Sequence, residues 1–381
     1  MSITISHASA LYSIRTLRCD GKDVRYFDHA AIARPSTWVG KRWTMREFTA
    51  DEWKWQRPSP SKPLHVLVRK QTERPRLQNV QAHVCTTNLP PNAILWLDEY
   101  ATISSPELVF VQMAESLSLP ELVLLGYELC GYYSKSPNDP SNGPVVDNIR
   151  NATTVEELRR FADCQMRLPG IELARKALEY VAEPAASVPE AILSMMYSLP
   201  TGELGYGMGP ITLNRRVATQ DDAPHAAQNR YPDLMFPFAP VGINYEGKGH
   251  LDLDGLEQVI WQAILAGDSN AQGDDSNAQD DDSNARELLV KKIAEIRDKA
   301  YDDILRNRQL AARGKIVLQA TKRDLYDKDG LDHLTKQILQ CARETFGVDT
   351  SAYEKALNNT KLCSDRYNLL MSLLPHGRSQ P

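Results

Sequence analysis

No apolar run in these 381 residues is long enough to cross a membrane. The longest, 108–114 and 119–125, are short and bracketed by Glu107, Glu115, Glu121 and Glu128, whereas a span needs about 20 apolar residues. The opening Met1-Ser-Ile-Thr-Ile-Ser-His lacks the basic region and apolar core of a secretory leader. A cytoplasmic protein with no membrane partner is therefore expected. The six cysteines are scattered over the whole length with no C-x-x-C pair, which argues against a disulfide framework and against a zinc site. What remains is an ordinary globular composition, 42% hydrophobic and 24% charged. It is sufficient for a sizeable core, and the length suggests two or three domains.

The net charge of −5 conceals a strong asymmetry. Residues 268–285 read DSNAQGD-DSNAQDD-DSNA, a seven-residue period carrying six aspartates; without them the balance is −5 − (−6) = +1. With nothing apolar larger than Ala, the repeat cannot be a coiled-coil heptad, and no Glu stands where an EF-hand loop would need one. It reads as a disordered acidic insert. The first 80 residues hold 15 Lys and Arg against 7 Asp and Glu, interleaved with Tyr26, Phe27, Trp38, Trp43, Phe48, Trp53 and Trp55. That mixture suits a phosphate-contacting, base-stacking surface, and equally a small domain with a Trp-rich core and a basic exterior.

Residues 56–63, rich in Pro and Ser, mark a linker. Residues 64–68, 80–85 and 94–98 read as strands. Helices are expected from Ser105-Pro106, over 119–130, 154–167 and 171–183, and from Ser187 through Leu199. Strands follow at 211–217, 232–236 and 241–248. Residues 286–313 form a long helix with Leu289, Ile293, Ile296, Ala300 and Ile304 as its apolar face, capped by Gly314 before a strand over 315–321. The fold class is α/β (α+β overall). Its expected parts are a basic aromatic-rich segment (1–60), an α+β region (61–183), a mixed sheet flanked by helices (184–328, with the insert at 268–285) and a helical extension (329–381).

One constellation carries chemistry. Asp233 follows Pro232 at the start of a strand, and Glu246-Gly247-Lys248 ends the next. Strand alternation puts Glu246 and Lys248 on one face, opposite Ile243 and Tyr245. Two carboxylates brought together require a cation, and hard oxygen donors suit Mg²⁺ or Mn²⁺. Asp233 and Glu246, with the Gly247 carbonyl, are the candidate metal ligands, and Lys248 orients a water or offsets developing negative charge. Glu190 is either an outer or second metal ligand or, as Ser187-x-x-Glu190, half of a capping box. Gly205-Tyr-Gly-Met-Gly209 lacks the Lys-Ser/Thr of a P-loop and reads as a turn.

Pro232-Asp233…Glu246-x-Lys248, preceded by Glu190, resembles the signature of the PD-(D/E)XK nuclease superfamily. The stretch from Asp303 through Arg306-Asn307 and Leu310 to Gly314 and the following strand resembles its very-short-patch-repair-like branch. Leu89-Pro-Pro, a strand and Ile103-Ser-Ser-Pro-Glu107 resemble the AbiEi-like module found upstream of such domains. The resemblance implies a bacterial, Mg²⁺- or Mn²⁺-dependent DNA endonuclease with a restriction-endonuclease-like sheet. It also implies a role for His250, which sits where that branch often carries a histidine. Arg306, Asn307, Lys322 and Arg323 are candidate DNA contacts, and a homodimer is a candidate assembly because many nucleases cut both strands as dimers. The competing readings are an antitoxin-like DNA-binding regulator with a vestigial nuclease fold, and a scaffold whose acidic repeat docks a partner.

Overall fold

The structure is a computed structural model that describes residues 3–26, 57–97, 101–182, 184–213, 232–246, 260 and 278–375. The α/β expectation is realised: mixed sheets alternate with helices, and the chain divides into two compact units. The first comprises Met1–Leu213 together with Asn358–Pro381, and the second is Asn214–Leu357. The second unit is thus inserted in the sequence of the first. These bounds differ from the expected ones in both directions. Residues 3–26 and the helix at 188–198 belong with the 61–183 region, and the carboxy-terminal extension is shared between the units.

The first unit is built on a five-stranded mixed sheet of order β3-β2-β1-β5-β4. Its strands are β1 (Ile3–Ile5), β2 (Leu64–Val68), β3 (Val80–Val84), β4 (Ile94–Trp96) and β5 (Ala101–Ser104). β1 lies in the middle, parallel to β5 and antiparallel to β2. Ile3, Ile5, Val66 and Ile103 are buried there. The helix α1 (His7–Cys19) follows β1 at once. Five more helices complete the unit's sequence up to residue 198: α2 (Pro106–Met113), α3 (Leu119–Cys130), α4 (Val155–Cys164), α5 (Ile171–Leu178) and α6 (Val188–Ser198). Their starts follow local rules. Pro stands in the first turn of α2, α3 and α6, and capping boxes open α3 and α4. The short pair β6 (Tyr133–Ser134) and β7 (Val146–Asp147) brackets the polar loop between α3 and α4, and β8 (Thr212–Leu213) follows α6.

Two polar clusters sit inside this unit. Arg15 on α1 makes two 2.7 Å bonds to the Glu128 carboxylate on α3, while Arg18 donates to the carbonyls of Glu128, Gly131 and Arg150. Nearer the β3 edge, the His7 ring stacks 3.5 Å above that of His83, whose Nε2 lies 2.9 Å from Nδ1 of His65. The His65 and His83 centroids are 5.1 Å apart with planes 16° from parallel. The two rings therefore meet edge to edge in an N–H···N bond.

The second unit's described core is three strands: β9 (Leu234–Met235), β10 (Val241–Glu246) and β11 (Ile316–Thr321). β10 pairs antiparallel with β9 and parallel with β11. Gly242 is required in β10, since a Cβ there would fall 2.7 Å from the Leu234 carbonyl oxygen and 2.6 Å from Met235 Sδ. Helices follow as α7 (Ala278–Ala311), α8 (Lys322–Tyr326), α9 (Gly330–Phe346) and α10 (Ser351–Leu357); α11 (Thr360–Leu373) returns to the first unit. There Arg366 stacks 4.0 Å above the Tyr206 ring and donates to the Gly205 carbonyl.

Two expectations about α7 are corrected. It begins at Ala278, so residues 278–285 of the acidic repeat are helical, not disordered; residues 268–277 lie outside the described set. Acidic sequence suits the positive end of a helix dipole and Ala favours helix, which explains the earlier start. The expected apolar face also divides. Leu289 and Ile296 are half-buried, but Ile293 and Ile304 are exposed.

Among the described residues, no helix is long and apolar enough to cross a membrane.

Candidate functional site

The register of β9, β10 and β11 decides which side chains share a face. Ile243 is opposite Leu234, and Gly242 is opposite Met235. The antiparallel pairing extends to place Asp233 beside Asn244, and both share a face with Glu246. On the parallel side, Asn244 is in register with Gln319, and Glu246 with Thr321. One face thus carries the row Asp233, Asn244, Gln319 and, one step on, Glu246 and Thr321. The other face carries Val241, Ile243, Leu234 and Ala320, all buried. Extended by one residue, the register sets Asp233 on the face that carries Glu246.

Asp233 is fixed by its neighbours across the hairpin. Its Oδ2 accepts a 2.7 Å bond from the Tyr245 amide, and its own amide donates to Asn244 Oδ1 at 3.1 Å. Asn244 is only 1% exposed. Its Nδ2 is buried without a hydrogen-bond partner among the described residues, as is Gln319 Oε1. A buried donor left unsatisfied costs about 1–3 kcal/mol. The Tyr245 hydroxyl, on the opposite face, is pushed up to about 12 by burial and by Tyr326 and Asp324 nearby.

Cations stand at the same end of the sheet. Thr321 pairs with Glu246 and opens α8, where the Asp324 carboxylate accepts from the Thr321 amide and hydroxyl at 2.7 and 2.8 Å. Lys322 and Arg323 follow immediately and are exposed, Lys322 lying 5.6 Å from the Tyr326 ring centroid. Arg306 and Asn307 are half-buried on α7 rather than on an exposed face, and Asn307 Oδ1 is a buried atom without a hydrogen-bond partner among the described residues.

Glu190 sits at the amino-terminal turn of α6, but bonds the amide of Ala186 and not that of Ser187 as the expected capping box would. Its carboxylate accepts from the Ser187 hydroxyl at 2.8 Å and from the Ala186 amide at 3.1 Å, closing the first turn of α6. It belongs to the first unit, whereas Asp233 and Glu246 belong to the second. Gly247, Lys248 and His250 lie outside the described residues, as does the aromatic-rich stretch from Phe27 to Trp55.

Asn244, Gln319 and Thr321 were not anticipated as site residues. Their signal was available in the period of two: 244 and 246 on one strand, 319 and 321 on the other, are polar positions between apolar ones. Two carboxylates with backbone and water oxygens suit a hard divalent cation, which rarely takes an all-protein cage. Among the described residues, no three His, Cys, Asp or Glu side chains group so as to hold a metal ion by themselves. No family model, curated protein or solved structure matches this chain.

Proposed function

We propose that the second unit is a metal-dependent DNA endonuclease that hydrolyses phosphodiester bonds, in keeping with its resemblance to the PD-(D/E)XK superfamily. The observation that carries this reading is the shared face of Asp233, Asn244 and Glu246, on which the buried Asn244 Nδ2 has no hydrogen-bond partner among the described residues. Asp233 and Glu246, with the Gly247 carbonyl, would hold Mg²⁺ or Mn²⁺. Such an ion, when bound, polarises a phosphate oxygen and lowers the pKa of a coordinated water.

The chain's own residues do the rest. The Tyr245 amide and Asn244 restrain Asp233, so that its carboxylate need not reorganise. Asn244 Nδ2 donates to an oxygen placed between the carboxylates, and Lys248 assists activation of the water. Lys322 and Arg323, at the same end of the sheet, bind flanking backbone phosphates without reading sequence.

The test is incubation of the full chain with plasmid and single-stranded DNA in Mg²⁺, Mn²⁺ or chelator, beside Asp233→Ala, Glu246→Ala and Lys248→Ala. Expected is metal-dependent nicking, reduced on the order of 100-fold or more in each variant with circular dichroism unchanged. Salt-sensitive binding without cutting under every metal condition would replace this reading with the DNA-binding regulator.

A further inference from the structure

Four large apolar side chains stand exposed on α7: Val290 (66%), Ile293 (49%), Tyr301 (61%) and Ile304 (51%). At 100° per residue they fall within an arc of about 80° on one side of the helix, and from first to last they span 14 steps, or about 21 Å. Their spacing is palindromic. Measured from Arg297, which lies within the same arc, they are at −7, −4, +4 and +7.

We propose that this stripe is a self-association surface, on which α7 of a second copy packs antiparallel about a two-fold axis at Arg297. In an isologous contact the same patch meets itself. Here Val290 would face Ile304 of the partner, and Ile293 would face Tyr301, so each apolar group meets another. Charge agrees with this pairing. The Arg297 guanidinium lies 3.2 Å from Asp298 in its own chain, and across the axis each arginine meets the partner's carboxylate as well, which offsets the approach of the two guanidinium groups. The patch is small for a permanent interface, so the dimer is reversible. This inference is independent of the nuclease reading, since it uses neither Asp233 nor Glu246.

The test is sedimentation and light scattering of the full chain over a concentration series, with wild type and Ile293→Glu/Ile304→Glu side by side. Wild type should move from the mass of one chain, 42.8 kDa, towards twice that value. The double variant should remain at one chain mass with an unchanged unfolding profile. Direction is read by mild oxidation of Arg297→Cys and Arg308→Cys, each combined with Cys164→Ser to remove the exposed native thiol. Arg297→Cys should give a disulfide-linked dimer and Arg308→Cys should not. A wild type that stays at one chain mass throughout, a dimer indifferent to the two glutamates, or cross-linking through position 308 would each overturn the proposal.

Discussion

Arg15 and Glu128, 113 residues apart in sequence, meet through two parallel bonds of 2.7 Å inside the first unit. The carboxylate also accepts from the Lys135 amide at 3.1 Å, and it is 1% exposed. Such a group is costly to bury and more costly to leave alone. Arg15→Ala should therefore lower the stability of the first unit by about 3–5 kcal/mol, read by denaturant unfolding. Although burial opposes ionisation, Arg15 prevails and holds the Glu128 carboxyl at about 2, below its ordinary 4.5. A depressed carboxyl contributes stability that is complete above about 4.5 and is lost as the pH falls towards 2. The cost of Arg15→Ala should accordingly shrink below pH 4.

The three histidines predict acid sensitivity in a higher window. Burial, then the neighbouring His83 and His65, lowers His7 to about 2. Burial, His65 and Arg74 lower His83 to about 4, and burial lowers His65. The Glu115 carboxylate lies 3.5 Å from His7 Nε2. Below pH 6.5 the unfolded chain takes up protons that the folded cluster refuses. Stability is thus complete above about 6.5 and declines as the pH falls through 4. His83→Phe, which retains a stacking ring, should flatten the fall in melting temperature between pH 7 and 4.5. About 1–2 kcal/mol is at stake at this half-exposed ring once solvent screening is allowed for. Parallel curves for variant and wild type would refute this.

Glu190 separates a cap from a catalyst. Glu190→Gln should cost about 0.5–1 kcal/mol by weakening the bonds to Ala186 and Ser187 at the start of α6 and leave metal-dependent cleavage within about twofold of wild type. A loss of cleavage on the scale of Asp233→Ala, in a variant that melts normally, would return Glu190 to the reaction.

Asn244 should matter to stability as well as to the site. In Asn244→Leu the Asp233 amide loses its acceptor, and Asp233 loses one of the bonds that restrain its backbone. The expected cost to the second unit is about 1–3 kcal/mol, measured by thermal unfolding. Asn244→Asp keeps an acceptor in place and should recover part of that loss.

Much of this architecture was legible where apolar periodicity and caps coincide. β2, β3, β10 and α2 to α6 lie within a few residues of where alternation, Pro in the first turn and Ser or Thr caps put them. β1 and α1 were not legible, because polar residues are interleaved among their buried apolar ones: Thr4, Ser6, His7, Ser9, Ser13 and Arg18 are buried beside Ile3, Ile5, Leu11, Ile14 and Leu17. Several are satisfied internally, as when Thr4 bonds Thr102, Ser9 Oγ accepts from the His65 amide and Ser13 bonds the Ser9 carbonyl. A pattern read from hydrophobicity alone cannot register a core residue whose burial is secured by hydrogen bonds. The same blindness hid Asn244 and Gln319, neutral amides among the charged residues that drew the eye to this face. For α7, periodicity found the helix but not which of two adjoining apolar stripes faces the sheet.

The insertion of one unit into the sequence of the other has a consequence for biogenesis. The ribosome delivers Leu213 and then the whole of Asn214–Leu357 before it delivers α11, whose Arg366 closes over Tyr206 and Gly205. The nascent first unit must therefore wait, with the seat of that arginine uncovered, through some 144 residues of further synthesis. At 5–20 residues per second this is roughly 7–29 seconds. A chain stalled before α11 would leave this surface open to chaperones and proteases.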